Sequence, residues 1–331
     1  MRRLAGRNLR SFNSFGVEAR AAAVIELDRD DDLGSIVFDP DRDLLLGGGS
    51  NVLLAGDIDG IAYLPRLRGR RILDRDRETA LVEAAAGEDW HGFVSWTLDQ
   101  GLCGLENLSL IPGSVGAAPI QNIGAYGVEL SERLESLRAW DWQSGRWREF
   151  DREACRFAYR DSRFKSIEPD RYLVHTVRLR LDLKFQPRLA YAGIQDELRL
   201  MGIDQPTASD VSRAVIAIRR RKLPDPSRLG NAGSFFKNPT LPGDAARALE
   251  ERHPGLPLHP LQGDRYKLSA AWLIEASGWK GHRRGDAAVS DSPDLANGIR
   301  LAAWDGESED DSAALALASA VYFFEVPEDT V

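Results

Sequence analysis

Between Glu106 and Glu129 the chain carries no charged side chain. Within that stretch runs Ile111-Pro112-Gly113-Ser114-Val115-Gly116-Ala117-Ala118-Pro119-Ile120-Gln121-Asn122-Ile123-Gly124-Ala125-Tyr126-Gly127. It follows neither the period of a helix nor that of a strand. A solvated loop of this length would carry charge. Backbone so rich in glycine and small residues packs instead against something flat or extended, either a cofactor or another piece of protein. A buried glycine-rich connection with no ligand satisfies the same pattern. The chain has 331 residues, enough to bury most of its apolar surface without disulfide or metal staples. At roughly 100–200 residues per domain, that length gives two domains or three.

Several classes fall away on charge and residue usage. The net charge of −8 disfavours bulk attraction to nucleic acid or to an anionic membrane. No window approaches the ~18 continuous apolar residues of a membrane span. Residues 1–10 are basic but precede no apolar segment, so they do not read as a secretory signal. The histidines, at 91, 175, 253, 259 and 282, form no close ligand spacing, so no metal site is expected. Cys103 and Cys155 form no CxxC pair and fit a reducing cytosol as small buried apolar side chains. Lysine is rare beside arginine and occurs only at 165, 184, 222, 237, 267 and 280.

The first half reads as strands with few helices. Strands are expected over 43–46, 61–64 and 80–86, a hairpin over 134–142 and 146–150, and a half-buried strand over 172–181 from its alternating pattern. A helix is expected over 90–100, with Trp90, Val94 and Leu98 on one face and Gly101 as its stop. The texture then changes. Helices are expected over 207–222, where an acidic start and a basic end suit the dipole, and over 244–252, 269–276 and 311–321.

Three further motifs carry chemistry. Gly47-Gly48-Gly49-Ser50-Asn51 follows the run Asp43-Leu44-Leu45-Leu46. Its glycines free the backbone to turn and present N–H groups to an anion such as a pyrophosphate, and Ser50 and Asn51 add donors. It matches neither GxGxxG before a long helix nor a P-loop, and a purely structural turn stays open. Tyr159-Arg160-Asp161-Ser162 offers an arginine able to grip a carboxylate bidentately, or a surface ion-pair cluster. Arg219-Arg220-Arg221-Lys222 either neutralises a helix end or clamps phosphate. It leads into Gly230-Asn231-Ala232-Gly233-Ser234-Phe235-Phe236-Lys237-Asn238-Pro239, where Ser234 can donate a proton. No GxSxG elbow is present.

These blocks, in this order, resemble the UDP-N-acetylenolpyruvoylglucosamine reductase family from about Asn13-Ser14-Phe15-Gly16 to Ala287-Ala288-Val289. The resemblance implies an α+β fold. An FAD-binding domain of the vanillyl-alcohol-oxidase (PCMH) type, in two subdomains, would span 1–205. A smaller α+β substrate-binding domain would span 206–331. FAD would be non-covalent, held by Gly47, Gly48, Gly49, Ser50 and Asn51 and by Ile111, Pro112, Gly113, Ser114, Gly116, Ala117, Gly124 and Ala125. NADPH would reduce the flavin, and the UDP-sugar would enter the same site after NADP leaves. Hydride would reach C3 of the enolpyruvyl group while Arg160 stabilises the charge spreading into the carboxylate. Ser234 would protonate C2. Tyr159, Tyr191, Lys222 and Asn238 would hold the substrate. A cytoplasmic monomer serving peptidoglycan synthesis is the expected setting, with no nucleic-acid or membrane partner.

The C-terminal end departs from the family pattern. Pro293, Asn297 and Gly298 weaken any strand after Val289. Glu328 follows a proline as the family's C-terminal acid does, with Glu325 as the alternative. This tail motivates a second reading, a catalytically impaired relative that binds FAD or a UDP-sugar without turnover. A flavin oxidase of the same superfamily is a third. Those often tether flavin through histidine, and none lies in sequence near Gly47 to Asn51 or near Ile111 to Gly127.

Overall fold

The computed structural model describes residues 1–4, 8–191, 193–234, 236–284, 287–289 and 298–301. The chain forms two compact units. The first comprises Met1–Leu9, Ala19–Gly49 and Gly56–Arg221. The second comprises Arg10–Glu18, Ser50–Ala55 and the chain from Lys222 onward.

The first unit opens with a sheet of β1 (Arg2–Arg3), β2 (Ala21–Leu27), β3 (Leu44–Leu45) and β4 (Ile58–Pro65), in the order β1-β2-β4-β3. β2 and β3 both run parallel to β4. Next in the chain come β5 (Arg70–Arg75), β6 (Thr79–Ala85), the small hairpin β7 (Gly124–Ala125) and β8 (Val128–Glu129), then β9 (Leu134–Asp141), β10 (Arg146–Asp151) and β11 (Tyr172–Asp182). Five of these make an antiparallel sheet in the order β10-β9-β11-β6-β5. β11 lies at its centre, and Val177, Leu179 and Leu181 point into the main core, as the alternation of the sequence requires.

Helix α1 (Trp90–Asp99) packs on that core and starts where Asp89 accepts a hydrogen bond from the Gly92 N–H at 2.7 Å. Its buried face is Trp90, Phe93, Val94 and Thr97. Leu98, expected on that face, is only partly buried. Helices α2 (Ile194–Leu200) and α3 (Ala208–Lys222) share one apolar cluster, with Ile194 and Leu198 against Val211, Ala214, Val215 and Ile218. A division at 205/206 would cut this cluster, so the first unit continues to Arg221.

The second unit contains β12 (Asn231–Ser234), β13 (Thr240–Pro242), α4 (Gly243–Arg252), β14 (Leu258–Leu261), β15 (Arg265–Leu268), α5 (Ala270–Ala276), β16 (Arg283–Arg284), β17 (Ala287–Val289) and β18 (Gly298–Leu301). The sheets run β12-β18-β17-β16 and β13-β15-β14. β18 corrects one expectation. A strand does follow Val289, starting at Gly298, because pairing with both β17 and β12 supplies its backbone with partners on two sides. The helix expected over 311–321, Glu325 and Glu328 lie outside the described residues. No helix among the described residues is long and apolar enough to cross a membrane.

Candidate functional site

The uncharged segment is fastened to the residues that lead into α1. Val115 N–H donates to Glu88 O at 2.9 Å, Gly116 N–H to Ala86 O at 3.0 Å, and Trp90 N–H to Gly113 O at 3.0 Å. Gly116 is needed there, since a Cβ would meet Ala86 Cβ at 2.4 Å. The 47–49 turn then presses on the same segment. A Cβ on Gly47 would lie 2.8 Å from Ser114 Oγ, and one on Gly48 only 2.6 Å from Gly113 Cα. Gly49 adopts φ +61°, the left-handed region glycine tolerates best. Among the described residues, the N–H groups of Gly47, Gly48, Gly49, Gly113 and Ser114 donate to no protein acceptor. Two glycine turns in contact, with unspent donors and only the small side chains of Ser114 and Ala117 beside Gly47, suit an anion such as a diphosphate.

Arg160 is held at the other end of the segment. Three bonds stitch the 158–162 turn to it: Ser162 Oγ to Ile120 O at 2.6 Å, Asn122 Nδ2 to Ala158 O at 3.1 Å, and Arg160 Nη2 to Gly124 O at 2.5 Å. Arg160 has φ +54°, a strained conformation for a side chain this large. Its guanidinium lies 5.3 Å from the centre of the Tyr159 ring. No acidic partner for Arg160 stands among the described residues, so the ion-pair cluster left open by the sequence does not form around it.

Tyr126 and Tyr191 meet edge to face at 5.2 Å. They line a cavity of about 590 Å³ with Arg188, Leu189 and Gln195. Behind Tyr126 stands Arg219 of α3. Its Nε donates to Leu110 O at 3.1 Å, and it also bonds the Tyr126 side chain. Burial pushes the Arg219 pKa down, against the pull of Tyr126. His91 receives the Leu110 N–H on Nδ1 at 3.1 Å. Burial pushes its pKa down, Asp89 opposes that, and Arg220 and Arg219 reinforce it. A histidine therefore does reach this segment in space, although none is near it in sequence.

Within the second unit, Ser14 Oγ donates to Asn231 O at 2.7 Å, and Asn231 N–H returns a bond to Ser14 O at 3.0 Å. Gly230 fits only as glycine, since a Cβ would sit 2.0 Å from Phe15 O. These contacts seat β12, at whose end Ser234 is exposed. Asn238 Oδ1 accepts the Ala270 N–H at 3.0 Å at the start of α5, which leaves its Nδ2 as the donor side. Lys222 is the last residue of α3 and is half-buried.

Arg160, Tyr159, Tyr191 and most of the expected cofactor contacts thus belong to the first unit. Ser50, Asn51, Lys222, Ser234 and Asn238 belong to the second. Sequence reasoning gave Arg219 no more than a helix-end or phosphate-clamp role and overlooked Tyr126 as a wall of the cavity. Arg219 had one signal, its place in the basic run. The left-handed turns at Leu110 and Tyr126, φ +58° and +50°, left none.

Comparison with known proteins agrees with this layout. A family model described as an FAD binding domain matches residues 40–151. The model of the UDP-N-acetylenolpyruvoylglucosamine reductase C-terminal domain matches residues 225–296. The UDP-N-acetylenolpyruvoylglucosamine reductase of Pseudomonas fluorescens is 50% identical over 286 residues, covering 85% of this chain and 84% of that protein. The enzyme of the same name from Chromobacterium violaceum is 51% identical over 289 residues, covering 86% and 85%. The crystal structure of UDP-N-acetylenolpyruvylglucosamine reductase from Thermus caldophilus superposes with a TM-score of 0.63 at 25% identity, covering 97% of this chain and 93% of that one. An FAD-binding domain followed by a smaller α+β domain is therefore the architecture, and the chain belongs to the UDP-N-acetylenolpyruvoylglucosamine reductase family.

Proposed function

We propose that this chain uses NADPH to reduce the enolpyruvyl group of UDP-N-acetylenolpyruvoylglucosamine to UDP-N-acetylmuramate, as a cytoplasmic monomer in peptidoglycan synthesis. The observation that carries the reading is the contact of the 47–49 turn with Gly113 and Ser114, where five main-chain N–H groups donate to no protein acceptor among the described residues. A dinucleotide diphosphate fits those donors. When bound, without a covalent link, FAD supplies the hydride relay from NADPH to C3 of the enolpyruvyl group. Gly47, Gly48, Gly49, Ser50 and Asn51 hold it, with Ile111, Pro112, Gly113, Ser114, Gly116, Ala117, Gly124 and Ala125.

The chain's own side chains handle charge and protons. As C3 is reduced, negative charge builds at C2 and spreads into the carboxylate. Arg160 pairs with that carboxylate. Its bond to Gly124 O fixes the guanidinium and leaves further N–H groups for the substrate. Ser234 gives its hydroxyl proton to C2. Serine is a weak acid, so a cation and an amide donor must favour its deprotonated form, the task assigned to Lys222 and to Asn238 Nδ2. Tyr159 and Tyr191, together with Lys222 and Asn238, hold the sugar nucleotide. Glu328 completes the site, with Glu325 as the alternative.

Rapid-mixing kinetics of the two half-reactions test this assignment. Ser234→Ala should leave reduction of the flavin by NADPH near the wild-type rate. It should slow reoxidation by substrate by about 10²–10⁴-fold, the usual worth of general acid catalysis. Equal loss in both halves would remove Ser234 from the role. Glu328→Gln should reproduce part of the second-half defect; the same defect in Glu325→Gln instead would transfer the role to Glu325. The departure of the tail from the family pattern keeps one alternative, a relative that binds FAD or UDP-sugar without turnover.

A further inference from the structure

Asn107 sits in a single helical turn, Glu106–Leu108, and is 1% exposed. Its Nδ2 donates to two backbone carbonyls, Tyr126 O at 2.9 Å and Arg188 O at 3.0 Å. Both partners are acceptors, so the amide nitrogen must face them. Tyr126 and Arg188 are two walls of the same cavity, and Tyr191 is a third. Arg188 and Tyr191 lie on the connection between β11 and α2, which has no regular structure over 185–190.

That connection has few holds. Among the described residues, the bond from Asn107 to Arg188 O is the one hydrogen bond made by the main chain of 184–190. The Arg188 side chain pairs with Glu132, and Phe185 and Leu189 pack on the apolar cluster of α2 and α3. Apolar packing is not directional, so it leaves the height of the loop over Tyr126 loosely set. The two carbonyls gripped by one amide fix it. Asn107 Oδ1 is buried with no partner, a cost that an apolar side chain would avoid. What asparagine offers in return is the pair of donated bonds.

We propose that Asn107 is a positioning residue. It sets the separation between Tyr126 and the loop that carries Tyr191, and so sets the affinity for the sugar nucleotide without touching it. The inference rests on the assignment of Tyr191 to the substrate.

The test uses the full-length, FAD-loaded protein with UDP-N-acetylenolpyruvoylglucosamine as the varied substrate. Wild type, Asn107→Ala, Tyr191→Ala and the double variant are compared. Asn107→Ala should raise KM about tenfold or more, the worth of the two lost hydrogen bonds, with kcat nearly unchanged. In the Tyr191→Ala background the same change should add nothing to KM. An additive effect, or an unchanged KM in Asn107→Ala, would overturn the proposal. Tryptic cleavage after Lys184 or Arg188 reads the tether independently of any substrate assignment and should be faster in Asn107→Ala; an unchanged rate also overturns it. A Tyr191→Ala variant with wild-type KM overturns the Tyr191 assignment instead, and with it the affinity half of the proposal. Should Asn107→Ala fail to retain FAD, Asn107→Ser takes its place with the same outcomes.

Discussion

Replacing Gly48 by alanine asks whether the contact of two glycine turns holds the cofactor. The added Cβ would lie 2.6 Å from Gly113 Cα, 3.0 Å from the Gly113 carbonyl carbon and 3.2 Å from Ser114 N, where ordinary contact begins at 3.4 Å. The worst shortfall is 3.4 − 2.6 = 0.8 Å, and it falls on backbone, which cannot rotate aside. Gly48 is exposed, so the turn relaxes outward rather than into a core. Overpacking of this kind costs about 1–3 kcal/mol. The outward shift also carries the N–H groups of Gly47 to Gly49 away from a bound diphosphate, and each bond to a charged group is worth about 1.5–3 kcal/mol. Loss of one such bond weakens FAD binding by roughly 10–100-fold. Titration of apoprotein with FAD, followed by flavin fluorescence, measures this directly, with a thermal melt of the apoprotein beside it. Gly56→Ala is the control, because nothing lies within 4 Å of its Cβ. Wild-type FAD affinity in Gly48→Ala would refute the cradle. Collapse of the apoprotein melt would show that the contact serves folding instead.

Three other outcomes follow from the first unit. Asp141 is fully buried and accepts bonds from Arg171 at 3.0 and 2.8 Å. That pairing holds its carboxyl well below the usual range, against desolvation and helped by Ser144 and the Gln143 N–H. Asp141→Asn should cost about 3 kcal/mol in denaturant unfolding. Because the native pKa is depressed, the wild type loses this stability as pH falls below about 4, and the variant should show a flatter acid dependence; parallel curves would contradict the pairing. His91 should titrate below its ordinary value of 6.5 by proton NMR, since burial disfavours its cation. Stability linked to it is present above 6.5 and lost on acidification, and a midpoint at or above 6.5 would contradict the bond from Leu110. Burial raises the Cys103 thiol to about 11 and the Cys155 thiol to about 12. Neither should react with iodoacetamide at neutral pH until the protein is denatured, and fast labelling of the folded protein would contradict their burial.

What the sequence discloses depends on how local the cause is. β11 is legible because its alternation reflects one buried face, and α3 because its apolar stripe, acidic start and basic end coincide. β2 is not legible. Its run Ala21-Ala22-Ala23-Val24-Ile25-Glu26-Leu27 has no clear strand pattern, and it becomes a strand through parallel pairing with β4, a contact distant in sequence. The division of the chain is hidden for a similar reason. The composition changes near 205, yet α3 packs back on α2. Arg10–Glu18 and Ser50–Ala55 group with the second unit although they lie early in the chain. In the site, the glycines of 47–49 and 113–116 announce close backbone approach. His91 and Asn107 announce nothing, and Arg219 only its place in a basic run, because each matters through its contact with Leu110, Tyr126 or Arg188.

The central claim is that this chain turns over as a reductase. Its most direct test is NADPH oxidation by folded, FAD-loaded protein, followed with and without UDP-N-acetylenolpyruvoylglucosamine. The account predicts oxidation that depends on the substrate and yields UDP-N-acetylmuramate in equal amount. Folded protein with bound flavin that oxidises NADPH no faster when the substrate is added would contradict it.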